Sequence, residues 1–72
     1  SKVGSLLDAA LKYNLIEKAG AWYSYEGEKI GQGRDKTLDY IRDNADFAAT
    51  IEAKLRDIMF AKSEEKDGEI EK

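Results

Sequence analysis

Trp22, Tyr23 and Tyr25 place three aromatic rings within four positions, and Lys18, Lys29 and Arg34 stand a few residues to either side. Rings of this kind stack on bases and sugars, while long cationic side chains on a fixed scaffold pair with phosphates. Aromatic and basic groups on one small surface therefore suit contact with nucleic acid or with a protein. Lys12 and Lys36 lie close enough along the chain to join the same patch. The plainer alternative makes these cations ordinary surface residues paired with Glu17, Glu28 or Asp35, and Trp22 a half-buried core residue beneath a helix. Spacing alone leaves both readings open.

Enzymatic chemistry finds little support. With no cysteine and no histidine, the common nucleophile–base pairs are absent, and nothing points to a Ser–Lys or Thr variant. A zinc site lacks its usual ligands. Carboxylate pairs such as Asp39/Asp43 and Glu64/Glu65 read as solvated surface charge. The run Gly31-Gln32-Gly33 precedes a helix, as a phosphate-binding loop does. It lacks the third glycine of a dinucleotide fingerprint and the Gly-Lys-Ser/Thr ending of a Walker A loop. These glycines read as a hinge, and the chain is expected to be non-catalytic, without cofactor or metal.

The chain has 72 residues and a net charge of −3, enough for one domain near the lower size limit for a self-sufficient core. Residues 1–36 carry six Lys/Arg against five Asp/Glu, whereas residues 37–72 carry six against ten. Any nucleic-acid contact must then come from a local patch in the first half. Residues 62–72 are almost wholly polar, with a single isolated Ile70, and read as a charged disordered tail after a domain at 1–61. No apolar run approaches a membrane span, no signal-peptide core is evident, and the lack of cysteine fits a reducing cytoplasm.

The elements that must hold the patch follow from periodicity. Ser5 suits a helix N-cap, with Asp8 in the first turn. Leu6, Leu7, Ala10 and Leu11 recur at helical spacing, and Asn14 suits a left-handed stop. Leu15–Ala19 reads as an edge strand or a single turn. Trp22 to Tyr25 is β-prone and turns at Glu26-Gly27 into a returning strand. That register sets Tyr25 against Glu28, Ser24 against Lys29, Tyr23 against Ile30 and Trp22 against Gly31. Tyr23, Tyr25 and Ile30 then share the core face, and Trp22, Ser24 and Lys29 the other. A short helix with Leu38 and Ile41 inward ends near Asp43. Asn44 then suits the N-cap of a third helix, striped by Phe47, Ile51, Leu55, Ile58 and Met59. The expected class is α+β: one helix, a small antiparallel sheet of two to three strands, and two helices.

The segments Leu15-Ile-Glu-Lys-Ala-Gly-Ala-Trp-Tyr-Ser-Tyr25 and Gly27-Glu-Lys-Ile-Gly-Gln-Gly33, with Ser1-Lys-x-Gly-x-Leu-x-Asp8 before them, closely resemble the C-terminal domain of the bacterial RecA recombinases. The resemblance implies an accessory module that captures double-stranded DNA without sequence preference and guides it to a recombinase filament. It implies a place in homologous recombination, DNA repair and the SOS response of the cytoplasm. Lys18 and Arg34 match the family's two duplex-capturing cations, with Lys12, Lys29 and Trp22 as neighbours. Implied partners are duplex DNA, the rest of the recombinase chain and filament neighbours. A protein-interaction role towards those neighbours or towards regulators is the alternative. The ATPase core, where ATP and magnesium would bind, is missing, so the chain is expected to be an excised domain, monomeric alone and unable to hydrolyse ATP. Glu26 and Asn14 stand where relatives often carry Lys, Ala45 replaces a common Pro, and the tail is less acidic than usual.

Overall fold

The computed structural model describes the backbone of residues 2–71 and the side chains of residues 2–61. Its elements run α1 (Lys2–Lys12), β1 (Ile16–Ala19), β2 (Trp22–Tyr25), β3 (Glu28–Gln32), α2 (Arg34–Asp43) and α3 (Ala45–Glu71). This is the α+β class, with a three-stranded antiparallel sheet in the order β1-β2-β3. One face of the sheet packs against the helices. The core is Leu7, Ala10, Ile16, Tyr23, Ile30, Ile41, Ile51 and Leu55, so every element contributes at least one residue. Burial of this apolar surface is the main force holding so small a chain together.

Helix α1 begins at Lys2, a turn earlier than Ser5 would place it, and no acidic residue occupies its first turn. Val3 and Leu6 pack against the core, and extending the helix to include Val3 adds that contact. Ser5 and Asp8 consequently lie inside the helix on its exposed side. The far end is a Schellman stop: the Leu15 N–H donates to the Ala10 carbonyl at 2.8 Å and the Asn14 N–H to Leu11 at 3.2 Å. Asn14 takes φ 63°, the left-handed conformation that asparagine tolerates better than most residues.

The hairpin turns at Glu26 (φ 50°) and Gly27 (φ 84°). Positive φ at both central residues is the turn whose twist matches a two-stranded ribbon. Tyr25 pairs with Glu28 and Ser24 with Lys29, but Tyr23 then pairs with Gly31 and Trp22 with Gln32. The expected pairing of Tyr23 with Ile30 and Trp22 with Gly31 is therefore wrong by one residue. A bulge at this point sets two residues of β3 against Tyr23. The faces hold nonetheless: Tyr23 and Ile30 are buried, while Trp22 and Lys29 are exposed.

The bulge has a structural reason. A Cβ on Gly31 would lie 2.5 Å from Thr37 Oγ1 and 2.8 Å from the Thr37 backbone nitrogen, so only glycine lets α2 approach β3 this closely. Thr37 is fully buried, and its hydroxyl donates to the Gly33 carbonyl at 2.9 Å. Gly33 itself, with φ 87° and ψ 160°, occupies a backbone region that side chains exclude. The Gly33 N–H returns to the Ala21 carbonyl at 2.6 Å, tying the start of α2 to the β1–β2 turn.

Asn44 does not cap α3 with its side chain as its position suggests. Its Nδ2 donates back to the Tyr40 carbonyl at 2.8 Å, satisfying the end of α2, and its own carbonyl accepts the Ala48 N–H. Phe47, in the first turn of α3, meets Tyr25 and Tyr40 edge-on at 5.0 and 5.2 Å between ring centroids. Ile51 and Leu55 are buried, but Met59, expected in the same stripe, is 46% exposed because the fold ends before reaching it. The helical backbone continues to Glu71, past the expected end near Phe60, in keeping with the helix-forming Glu and Lys content there. The side chains of the supposed tail, residues 62–72, lie outside the described residues.

Gly31→Ala should destabilise the domain by about 1–3 kcal/mol, the usual result of overpacking. Urea unfolding measures it, and an unchanged midpoint would show that α2 and β3 can separate without loss.

Candidate nucleic-acid interface

Lys18 lies on β1 directly opposite Tyr23, so the two side chains leave the sheet on the same face. Strand β1 is an edge. The ring of Tyr23 is covered by the helices, while Lys18 stays exposed. No hydrogen bond or ion pair engages Lys18 among the described residues. Arg34 opens α2 immediately after the Gly33 bend, and the Tyr23 phenol lies within electrostatic reach of its guanidinium. Tyr23 thus relates the two cations, opposite one across the ladder and near the other in space.

Arg34 has a partner that the spacing did not suggest. Its Nη1 donates to Asp8 Oδ1 on α1 at 2.9 Å, in place of the sequence neighbours Glu17, Glu28 or Asp35. The hydrogen bond and then the charge of Asp8 raise the guanidinium pKa above its ordinary value. Both side chains are substantially open to solvent, at 45% for Arg34 and 63% for Asp8, so the pair is screened and weak. Lys12 stands one helical turn beyond Asp8 on the exposed side of α1, with its Nζ 5.6 Å from the centre of the Tyr13 ring. Residues four apart share a helix face, which places Lys12, Asp8 and Arg34 on neighbouring ground. No side chain caps the N-terminus of α2.

Trp22 and Lys29 occupy the opposite, solvent-facing side of the sheet. Lys29 Nζ sits 4.9 Å from the centre of the Trp22 ring, a cation–π contact worth about 0.5–1 kcal/mol at an exposed site. Trp22 is 38% exposed and does not pack beneath α3. The five candidate residues therefore divide: Lys18, Arg34 and Lys12 on the helix-facing side of the sheet or beside it, and Trp22 with Lys29 on the outer face.

Lys54 on α3 is a structural residue that its position in the sequence did not announce. Its Nζ donates to the Tyr25 hydroxyl at 2.6 Å and to Glu26 Oε2 at 3.2 Å, and lies 5.1 Å from the centre of the Tyr25 ring. This fastens α3 to the hairpin tip. Among the described residues no group of three or more acidic, histidine or cysteine side chains could hold a metal. No helix there is long and apolar enough to cross a membrane.

The family model described as the RecA C-terminal domain matches residues 4–59, which takes in the whole sheet, α2 and all the candidate cations. The chain belongs to the RecA C-terminal domain family. It is similar to Protein RecA of Xylella fastidiosa strain M23 and of strain Temecula1, at 53% identity over 57 residues in each case. That alignment covers 79% of this chain and 16% of each relative. The chain therefore spans a small part of the relatives it matches, and what matches is the C-terminal domain, without the ATPase core.

The Lys54 contact makes a titration prediction. The Tyr25 hydrogen bond, followed by that of Glu26, raises the Lys54 pKa. Its stabilisation is accordingly complete below the ordinary lysine value of about 10.4 and is lost as pH rises through the folded value. Carbon NMR of the lysine Cε should show Lys54 titrating above that ordinary value, and Tyr25→Phe should bring it down. A Lys54 pKa unchanged by Tyr25→Phe would remove the phenol as the main cause.

Proposed function

We propose that the domain is an accessory duplex-DNA-binding module of a homologous-recombination and DNA-repair recombinase. It takes up double-stranded DNA through phosphate contacts and passes it to the filament formed by the rest of the recombinase. The observation that carries this reading is the pair Lys18 and Arg34, both exposed, one opposite Tyr23 across the ladder and the other within its electrostatic reach, in an otherwise acidic domain. Membership of the RecA family supports it. Lys18 supplies an exposed ammonium without an ion-pair partner among the described residues, and Arg34 a planar fork suited to phosphate oxygens. Backbone N–H groups at the uncapped start of α2 add donors beside Arg34. Lys12 extends the surface along α1, and Trp22 with Lys29 offers a second, outer contact for a long duplex.

Contacts to phosphate carry no base information, so binding is sequence-nonspecific. The module needs neither cofactor nor metal of its own and performs no catalysis. ATP and magnesium belong to the ATPase core, and the setting is the bacterial cytoplasm during DNA damage and the SOS response. Alone, the domain is a monomer.

A second reading, a surface for filament neighbours or recombinase regulators, is favoured by Met59 and Phe60, which are 46% and 64% exposed on α3. Salt distinguishes the two. Phosphate-driven binding falls with salt at a log–log slope of roughly −2 to −4 for two to four neutralised phosphates, whereas an apolar contact is nearly indifferent to salt. Lys18→Ala or Arg34→Ala should weaken binding to unrelated duplexes about equally and flatten the slope by about one unit each, with the fold intact. Arg56, exposed on α3, is the control cation, because Lys54 holds the hairpin. The reading is falsified if the Lys18→Ala, Arg34→Ala double variant is folded and binds duplex with unchanged affinity and slope.

A further inference from the structure

The two cations of the proposed DNA surface are not equivalent, and Asp8 makes the difference. Lys18 has no internal ion pair among the described residues, whereas Arg34 spends one N–H on the Asp8 carboxylate at 2.9 Å. Asp8 lies mid-helix, exposed, away from both ends of α1. It caps nothing, and Arg34 is its one hydrogen-bonding or ion-pair partner among the described residues. We infer that Asp8 is a built-in competitor for phosphate, holding Arg34 until a DNA phosphate displaces it. This rests on the reading that Arg34 contacts duplex phosphate.

The geometry suits exchange. A single Nη1–Oδ1 bond leaves the other guanidinium donors uncommitted, so a phosphate can engage them before the carboxylate lets go. Both partners keep much of their surface in water, so separating them costs little. Once the phosphate has arrived, the Asp8 charge remains close by and opposes it. The same arrangement tempers the salt response. Added salt weakens the phosphate contact, but it also loosens the Asp8–Arg34 pair, and the second effect offsets part of the first. Capture becomes weaker and more readily reversed than two free cations would give, which suits a surface that must hand its duplex on.

The test is duplex binding by fluorescence anisotropy from low to moderate salt, using the 72-residue chain, Asp8→Asn, Arg34→Ala and the double variant. Asp8→Asn should bind about three- to tenfold more tightly at low salt, from the released pair and the lost repulsion together. Its salt slope should steepen by only a fraction of a unit, because one phosphate contact is worth about 0.9 unit in all. In the Arg34→Ala background the same change should gain less than about twofold, because only the distant repulsion is removed. Asp8→Glu, which keeps the charge, should bind like the parent chain, and Asp8→Ser serves as a second neutral variant should Asn disturb the helix. Weaker binding by Asp8→Asn would overturn the inference and make Asp8 a positioning residue for Arg34. An equal gain in both backgrounds would overturn it in favour of bulk charge. If Arg34→Ala binds like the parent chain, the phosphate role of Arg34 fails first and takes the inference with it. An effect of Arg34→Ala without an effect of Asp8→Asn sinks the inference alone.

Discussion

The close approach of α2 to β3 at Gly31 and Thr37 governs most of what the domain presents to its surroundings. Without a side chain at Gly31, the first turn of α2 sits directly on the strand, and the Thr37 methyl and hydroxyl enter the core. A buried hydroxyl needs a partner, and the Gly33 carbonyl supplies it. That contact fixes the bend at Gly33, and the bend determines where Arg34 leaves the backbone. The bulge in β3 belongs to the same constraint: it turns Ile30 into the core while letting Gly31 face Thr37. Arg34 meets Asp8 on α1 because α2 is held in this position and no other.

A chain with net charge −3 offers a cationic site only by separating its charges. Elsewhere on the surface, opposite charges meet: Lys2 with Glu52, Arg42 with Asp39, and Lys54 with Glu26. Individually these exposed pairs add little stability, but they reduce the number of cations available to a polyanion. Lys18, on an edge strand opposite the buried Tyr23, stays outside such pairing among the described residues. Arg34 stands between the two conditions. The cationic surface is therefore small and local, as the proposed role of receiving and releasing a duplex requires.

Much of this was legible in the sequence because it is local. Asn14 and the Glu26-Gly27 turn announce left-handed backbone through residue type, and alternation along each strand assigns Tyr23 and Ile30 to the core, which the bulge preserves by absorbing the one-residue shift. The motif around Trp22 carried the family, and with it the interest in Lys18 and Arg34. What escaped depends on contacts between distant segments. The Asp8–Arg34 pair joins residues 26 apart, and the Lys54–Tyr25 contact joins residues 29 apart. No spacing rule reaches that far. No local pattern marks Thr37 as buried, since its place in the core depends on the space Gly31 vacates beside it. Asn44 suits an N-cap by residue type, but its amide bonds the end of the helix behind it, a choice that residue type does not decide. Trp22 was undecided between core and surface, because aromatic type alone does not say which side of a sheet the helices will cover.

In the proposed function, duplex DNA lies against the surface carrying Lys18 and Arg34. A nitrogen–proton NMR titration of the chain with a short duplex tests it most directly, since each backbone amide reports its own surroundings. Shifts should concentrate at Lys18, Gly33, Arg34 and Asp35, with smaller ones at Asp8 and Lys12 and little change along Leu55–Phe60. Shifts centred on Met59 and Phe60, with the Lys18 and Arg34 amides unmoved, would contradict it.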